Sequence, residues 1–205
     1  MDLLTAEFYR QRFRDCADEY EKATLPALHR LILSVALPGC GVLEIGSGSG
    51  REAALLKAAG CRVTVTDGCP QMLAEAIRLH PELAANARTA DFPLPDDDPL
   101  LIERFDLVLA LALIMHLTDP DLERFAHQTA GITRPGGALI LSHSSGRRNL
   151  HRDRDPENRL IIERSVTDIC HRFTLAGFDQ QVAIQSQDGL GREPISWSTH
   201  MFRKR

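Results

Sequence analysis

The sequence predicts an α/β fold: a doubly wound, seven-stranded, mostly parallel sheet with an antiparallel last strand, helices on both faces, and extra helices at the N-terminus. From Val42 onwards, apolar and β-branched runs alternate with helical patterns, as in sheets built from strand–helix–strand units. Residues 105–111 are nearly all apolar, which is typical of a central parallel strand buried on both faces. The last two predicted strands have no helix between them, so they must pair as a hairpin.

Two helices are predicted before the first strand. Tyr9, Phe13, Ala17 and Tyr20 are separated by four, four and three residues, a spacing that places them on one face of a helix. Pro26 is suited to the first turn of a second helix, where its missing N–H costs nothing.

Strands and helices then alternate along the chain. The predicted strands are residues 42–45, 62–66, 87–90, 105–111, 138–141, 181–184 and 195–202, identified as apolar or β-branched runs between turn residues. The predicted helices are residues 51–59, 70–79, the segment between Pro120 and Arg134, and 165–177, each with a start or stop signal. We expect one domain overall, with residues 1–38 forming a helical cap or lid and residues 39–205 forming the α/β domain.

Composition and charge narrow the possible functions. Of the 205 residues, 43% are hydrophobic and 25% are charged, as in an ordinary globular protein, and the net charge of −4 argues against a nucleic-acid partner. No apolar run approaches the ~18 residues that cross a bilayer, and Asp2 stands where a secretory signal would be basic. We therefore expect a cytoplasmic protein with no membrane partner. The five cysteines are scattered and predict reduced thiols, with neither disulfides nor a metal site.

Glycine recurs at every second position after the first predicted strand. Gly46, Gly48 and Gly50 lie between an apolar strand and a helix, an arrangement typical of a nucleotide-binding turn. A dinucleotide fingerprint would need its third glycine at Arg51 or, starting one step later, at Ala53. The lysine of a phosphate-binding P-loop is also missing. An NAD-dependent oxidoreductase is therefore disfavoured.

The spacing Glu44-x-Gly46-x-Gly48-x-Gly50 resembles the first motif of the class I S-adenosylmethionine (SAM)-dependent methyltransferases. The resemblance continues, in the family's order, through residues 67–73, 90–95, 105–108 and 134–140. It implies a Rossmann-like methyltransferase domain that uses SAM, releases S-adenosyl-L-homocysteine (SAH) and needs no metal.

The resemblance also implies a set of cofactor contacts near the ends of the first four strands. These residues are Glu44, Gly46, Ser47, Gly48, Gly50, Arg51, Asp67, Gly68, Met72, Asp91, Phe92 and Ala110. Asp67 is expected to accept hydrogen bonds from the ribose hydroxyls and Asp91 from the adenine amino group, with Phe92 beside the ring. Backbone carbonyls around Ala110 suit the ammonium group. For Arg51 two interpretations stay open: contact with the cofactor carboxylate, or a salt bridge to a neighbouring acid.

Two histidines are candidates for the acceptor site. His116 follows the fourth predicted strand, where many similar small-molecule methyltransferases carry a histidine, and is predicted to act as a general base; the alternative is a surface or capping histidine. His143 follows the fifth strand and is a second candidate, because strand carboxyl ends face the site in such sheets. No Asn/Asp-Pro-Pro-Tyr motif and no cysteine follows these strands, which disfavours amino-methylation of nucleobases and thiolate-dependent C5 methylation.

Substrate contacts are predicted from the first helix and from the arginine-rich segment after the fifth strand. Tyr9, Arg12 and Tyr20 are predicted to form a lid, with core packing of the two tyrosines as the open alternative. Arg147 is predicted to contact an acidic substrate. Alternatively, its loop is solvated and paired with the acids of residues 153–157.

The leading functional hypothesis is transfer of a methyl group from SAM to an oxygen or nitrogen of a small molecule, by a monomer or homodimer. An RNA or protein methyltransferase that uses residues 147–159 is an alternative, and a SAM-binding module without turnover is another. Trp197, the single tryptophan, is expected to pack the last hairpin.

Overall fold

The computed structural model describes residues 1–192 and 194–205; position 193, within the predicted loop between the last two strands, lies outside the described residues. The described residues form the helices α1 (Leu3–Lys22), α2 (Pro26–Val35), α3 (Arg51–Ala58), α4 (Pro70–Leu79), α5 (Asp119–Ile132) and α6 (Val166–Leu175). They form the strands β1 (Gly41–Ile45), β2 (Arg62–Asp67), β3 (Ala87–Thr89), β4 (Phe105–Ala110), β5 (Thr133–Ser145), β6 (Phe178–Gln187) and β7 (Ser196–Lys204). Short 3-10 turns lie at Pro81–Asn86, Pro99–Ile102 and Ile114–His116. None of the described helices is both long and apolar enough to cross a membrane.

The strands form a seven-stranded sheet in the order β3-β2-β1-β4-β5-β7-β6. Strands β1 to β5 pair in parallel, whereas β7 is antiparallel to both β5 and β6. The predicted doubly wound sheet with an antiparallel last strand is confirmed. Because the strand order reverses between β1 and β4, a crevice opens beyond the carboxyl ends of these two strands.

The largest boundary difference concerns β5, which was predicted at residues 138–141 and begins at Thr133 instead. Residues 134–137 bulge out of this strand opposite Asp106 of β4. Gly136 has a φ of +74°, a backbone conformation that glycine adopts without steric cost. The Pro-Gly-Gly segment therefore forms a bulge within the strand, so hydrogen-bonded pairing resumes on both sides of it.

The sheet is covered on both faces, and neighbouring residues of an inner strand point into different cores. Val42 packs with Ile32 of α2 and Leu56 of α3, while Leu43 packs with Phe125 of α5 and Phe173 of α6. Since neither face meets water, the inner strands need apolar residues at consecutive positions, which explains their unbroken apolar runs.

Helix α1 packs against α4 at the edge of the crevice. Cys16 and Ala17 form a small cluster with Cys69 and Met72, separate from the two main cores. Tyr20 belongs to the margin of this cluster, and its ring would lie 3.2 Å from a Cβ placed on Gly48. The packing of α1 therefore holds its inward face next to the loop that follows β1.

One pair of cysteines meets in space although the five are scattered in the sequence. The Sγ atoms of Cys40 and Cys61 are 3.4 Å apart, just before β1 and β2 begin to pair. Both are free thiols, and the pair lies at the end of the sheet opposite the crevice.

The capping contact of Ser165 leads to a stability prediction. Its side-chain oxygen accepts a hydrogen bond from the Asp168 N–H (3.1 Å) and caps α6. Ser165→Ala should lower the free energy of unfolding by about 1 kcal/mol, because an N–H of the first helical turn loses its acceptor. Urea denaturation would measure the loss. The control Ser34→Ala removes an exposed serine within α2 and should leave stability within about 0.5 kcal/mol of the parent; equal losses in both variants would contradict the capping role.

Candidate active site

A cavity of about 210 Å³ lies at the crevice where the strand order reverses. Its walls come from the loops after β1, β2, β3 and β4, from α1, from the segment after β5, and from the loop between β6 and β7. The cavity therefore joins the predicted cofactor loop to parts of the chain that are far from it in sequence.

The glycine loop forms one wall of the cavity with a tight backbone turn. The Ser47 N–H donates to the Thr66 carbonyl and the Gly50 N–H to the Ser47 carbonyl, both at 2.9 Å. Gly46 and Gly48 have φ values of +69° and +55°, and both line the cavity. The turn thus presents backbone, with no side chain in the way, to whatever binds there.

Asp67, at the end of β2, is a buried carboxyl group facing this loop. It is 7% exposed and accepts hydrogen bonds from the Gly48 N–H (3.0 Å) and the Cys69 N–H (2.8 Å). Burial raises the pKa of Asp67 to about 6. The two N–H groups act in the opposite direction, and the nearby Asp91 carboxylate raises the pKa further. The carboxylate thus has acceptor capacity left for a ligand that donates hydrogen bonds.

Two buried glutamates lie below the glycine loop. Burial and the neighbouring Glu52 raise the pKa of Glu44 well above its usual range. Burial acts in the same direction on Glu52, but hydrogen bonds from His29 (3.0 Å) and Arg51 (2.8 Å) outweigh it and lower the Glu52 pKa. Glu52 is therefore paired, whereas Glu44 lacks a cationic partner of its own.

Arg51 lines the cavity, but its guanidinium is already engaged. It donates to Glu52 and to the backbone carbonyls of Tyr20 and Ala23. Of the two interpretations left open by the sequence, the structure shows the salt bridge, and it adds that Arg51 ties the start of α3 to the junction of α1 and α2.

The loop after β3 brings Asp91 and Phe92 to the cavity. The amino group of Met1 lies 2.5 Å from the Asp91 carboxylate. Phe92 is 3% exposed and packs edge-on against Phe125, with ring centroids 6.0 Å apart. Both residues that the family resemblance assigns to the adenine thus line the same cavity as the glycine loop.

His116 lies in the 3-10 turn after β4 and lines the cavity. Its Nδ1 is 2.6 Å from the Leu160 carbonyl oxygen, and because a carbonyl only accepts, Nδ1 carries the proton. Nε2 therefore accepts a hydrogen bond from the Tyr9 hydroxyl at 3.1 Å. Burial lowers the pKa of His116 to about 4, so the imidazole is neutral at pH 7. The predicted surface or capping alternative does not apply to this buried side chain.

The other acceptor-site predictions have mixed outcomes. Tyr9 and Tyr20 of α1 line the cavity. Arg12 does not: it is exposed on another face of α1 and donates to Asp15 at 2.8 Å. His143 is also outside the cavity, because successive β5 side chains alternate between faces and His143 stacks against His200, with Nε2 atoms 3.2 Å apart. Arg147, the remaining predicted substrate contact, lines the cavity together with the two tyrosines.

Two of the predicted cofactor residues also lie outside the cavity lining. Gly50 caps α3 and faces away from the cavity, since a Cβ added there would lie 2.9 Å from Leu83. The Ala110 side chain belongs to the α5–α6 core, and the residues that follow it, Leu111 and Ala112, line the cavity instead. The prediction for Ala110 concerned the backbone carbonyls around it, and these neighbouring residues reach the cavity.

The cavity includes residues that sequence reasoning did not assign to it. Arg159 belongs to the arginine-rich segment predicted to contact the substrate but was not itself assigned a contact. It lines the cavity, lies 4.4 Å over the Phe8 ring and bonds Asp155. Trp197, expected only to pack the hairpin, lines the cavity and donates its indole N–H to Asp188 at 2.7 Å. No local periodicity marks these residues, because contacts with distant segments bury them.

The residues present fit SAM. Within the described residues, Glu44 Oε2 and Ser47 Oγ are buried without a hydrogen-bond partner, and buried polar atoms normally have one. SAM offers an ammonium group and a ribose diol, which donate hydrogen bonds to carboxylate and hydroxyl oxygens. Asp67 provides a third buried acceptor beside the same glycine turn.

The raised pKa of Asp67 predicts a pH-dependent affinity for SAM. A protonated carboxyl accepts from a ribose diol poorly, so affinity should fall about tenfold between pH 7 and pH 5, as Asp67 takes up a proton near pH 6. Calorimetric titrations at several pH values would measure this. Asp67→Asn should flatten the slope, whereas Asp106→Asn, at the opposite end of the sheet, should keep it; a slope that survives in Asp67→Asn would assign it to another group.

Comparisons with known proteins agree with this geometry. A family model described as a methyltransferase domain matches residues 42–137. A ubiquinone biosynthesis O-methyltransferase from Xanthomonas campestris pv. campestris is 32% identical over 111 residues, which are 53% of this chain and 44% of the relative. The match thus spans less than half the length of that relative.

Solved structures match over nearly the whole chain. The 1,6-didemethyltoxoflavin-N1-methyltransferase of Burkholderia thailandensis, solved with SAH, superposes with a TM-score of 0.75 at 18% identity and covers 98% of this chain and 87% of that one. The magnesium protoporphyrin IX methyltransferase of Synechocystis PCC 6803, also with SAH, has a TM-score of 0.71 at 18% identity and covers 98% of both chains. At such identities the likeness concerns the fold.

The sheet order, the glycine turn and the buried acids together have the form expected of a class I SAM-binding site. The family-model match and the methyltransferase relatives agree with that expectation. Residues 42–137 thus form a methyltransferase domain, and the chain has the fold of the class I SAM-dependent methyltransferases.

Proposed function

We propose that this protein transfers a methyl group from SAM to an oxygen or nitrogen atom of a small-molecule acceptor in the cytoplasm. The observation that carries the proposal is the continuity of the cavity. One continuous cavity is lined by Gly46, Gly48 and Asp67 on the cofactor side and by Tyr9 and His116 on the other. Donor and acceptor can therefore lie next to each other in a single enclosed space.

The cofactor side would hold SAM through a few groups. Asp67 would accept from the ribose hydroxyls, Glu44 and Ser47 would receive polar hydrogens of the amino-acid part, and Asp91 and Phe92 would bound the adenine. When bound, SAM supplies a methyl group on a positively charged sulfur. The glycine turn would present backbone to this ligand. Gly48 also leaves room for the Tyr20 ring, which would lie 3.2 Å from a Cβ placed there.

His116 would receive the acceptor's proton. Its neutral ring has a free lone pair at Nε2, because Nδ1–H is fixed on the Leu160 carbonyl. Tyr9, which donates to Nε2 in this structure, would be displaced by an acceptor hydroxyl or amine, or would pass the proton on. Holding the ring in this tautomer places its basic nitrogen towards the cavity.

Helices α1 and α2 would serve as the lid, as residues 1–38 were predicted to do. Tyr9 and Tyr20 of α1 and Leu25 and Leu28 near the start of α2 line the cavity. Covering the site in this way would exclude water from the reacting groups.

The names of the similar proteins support an oxygen or nitrogen target. The matched relative is described as an O-methyltransferase and the Burkholderia structure as an N1-methyltransferase, both named for small molecules. Two alternatives are an RNA or protein methyltransferase and a SAM-binding module without turnover. Both would use the same cofactor side of the cavity, including Arg51 and Glu52. Only the acceptor distinguishes these alternatives.

Two measurements test the proposal. Calorimetry should show binding of SAM and SAH and none of NAD. Incubation with methyl-labelled SAM and fractionated metabolite extracts should then transfer label to a small molecule. Binding of NAD without SAM would refute the cofactor assignment. SAM binding with no transfer to metabolites would favour the non-catalytic module, and label found in RNA or protein would favour the other alternative.

A further inference from the structure

We propose that the acceptor carries an oxyanion group, a carboxylate or a phosphate, on an apolar body, and that Arg147 binds this group. The inference rests on the proposed function, because it concerns the acceptor half of the same cavity. It follows from the balance of charges and from the nature of the walls around Arg147.

Three guanidinium groups line the acceptor side of the cavity, and two of them are neutralised. Arg159 bonds Asp155 through Nε (2.8 Å) and Nη2 (2.7 Å). Arg192 bonds Asp188 through Nε and Nη2, both at 2.9 Å. Glu157 also lies 3.6 Å from Arg159. Arg159 and Arg192 thus each have a carboxylate partner, whereas the Arg147 guanidinium has none among the described residues.

Arg147 has no acidic partner for its guanidinium among the described residues. Its Nε donates to the Ser144 hydroxyl at 3.3 Å, and no other described residue accepts a hydrogen bond from its two terminal nitrogens. Glu163 accepts from the backbone N–H of Arg147, at 2.8 Å, and not from its side chain. The planar end of Arg147 is therefore available for two-point binding of a carboxylate or phosphate.

The surroundings make this charge costly without a ligand. Arg147 is half-buried, and burial together with the charges of Arg159 and Arg192 lowers its pKa, while Asp155 and Tyr9 act in the opposite direction. The neighbouring His116 is neutral and adds no charge. A bound anion would remove the repulsion among the three guanidinium groups, and this relief favours anionic over neutral acceptors.

The walls beside Arg147 determine the rest of the acceptor. Met115, Ile161, Leu190 and Trp197 line this side of the cavity and offer apolar and aromatic surface rather than further hydrogen bonds. A molecule with a flat or apolar body and one anionic end matches this distribution.

Three small phenyl compounds that differ in charge test whether the acceptor side of the cavity prefers an anion. Benzoate, phenyl phosphate and neutral benzamide are titrated into protein saturated with SAH and followed by ligand-observed NMR. At least one anion should bind about tenfold or more tightly than benzamide. Arg147→Gln should weaken binding of that anion by about 10- to 100-fold and leave benzamide binding unchanged, because a charge-assisted pair is lost. The stronger anion identifies the group as carboxylate or phosphate.

Arg148→Gln is the matched control, since Arg148 is the next residue in the chain, is exposed and does not line the cavity. It should leave the preference unchanged. The inference is overturned if benzamide binds as well as the anions, if none of the probes binds, or if the preference survives in Arg147→Gln. SAH affinity, measured on the same samples, separates the outcomes: its absence would refute the proposed function itself, whereas intact SAH binding confines the failure to the acceptor inference.

Discussion

His116→Ala should lower the turnover number by about 10²- to 10⁴-fold, the range associated with loss of a general base. The variant removes the only imidazole that lines the cavity within the described residues. SAM affinity should stay within about twofold of the parent, because the SAM-binding acids lie on other loops. Steady-state kinetics with an acceptor from the labelling screen and calorimetry with SAM would measure the two quantities separately.

His127→Ala is the control for this variant. His127 is exposed on α5 and bonds the Glu123 carbonyl, so its removal also deletes a histidine-to-backbone hydrogen bond but leaves the cavity intact. Turnover should be unchanged. Parent-like turnover in His116→Ala would show that the acceptor needs no base, as expected if its reacting group is already deprotonated.

Asp67→Ala should weaken SAM binding by about 1–3 kcal/mol, or roughly 5- to 150-fold, since the ribose hydroxyls would lose a buried acceptor. The same substitution frees the Gly48 and Cys69 N–H groups that Asp67 now holds, so the glycine turn should also become less ordered. Calorimetric titration with SAM gives the affinity, and hydrogen exchange at Gly48 reports the turn.

Asp106→Ala separates a lost ligand contact from general destabilisation. Asp106 also accepts from a backbone N–H, that of Gly41 at 2.7 Å, and pairs with Arg134, but it lies at the opposite end of the sheet. It should cost stability and leave SAM affinity unchanged. Equal losses of affinity in the two variants would remove Asp67 from the cofactor site.

The sheet topology and the cofactor side could be predicted because their signals are local. A strand, a glycine turn and a helix occupy one short segment around Gly46 and Gly48, and the acid at Asp67 ends the next strand. In a parallel sheet the ends of such strands meet at one edge, so short-range patterns are enough to place these residues together. The family resemblance added the identity of the ligand, which spacing alone left open.

The acceptor side was predicted less well because its residues depend on distant contacts. Arg159 lies among alternating charges, a pattern typical of solvated loops, yet Phe8 of α1 and Asp155 bury it. Trp197 faces the cavity because the loop between β6 and β7 returns over it and supplies Asp188 as a partner. His143 was misplaced for the opposite reason: the sequence locates it near a strand end, but the alternation of side chains decides which face it occupies.

The attachment of the α1–α2 junction has a kinetic consequence. Arg51, at the start of the helix that follows the glycine turn, donates to the backbone carbonyl of Ala23 at 2.8 Å, and a methyl group on Gly189 would lie 2.7 Å from Leu25. Two parts of the chain cover the cavity: helices α1 and α2, and the loop between β6 and β7. These two covers touch at residues 23–25. Movement of one cover should therefore disturb the other, and we expect the acceptor and SAH to pass through one shared opening. With a single opening, the ligand that lies deeper should enter first and leave last.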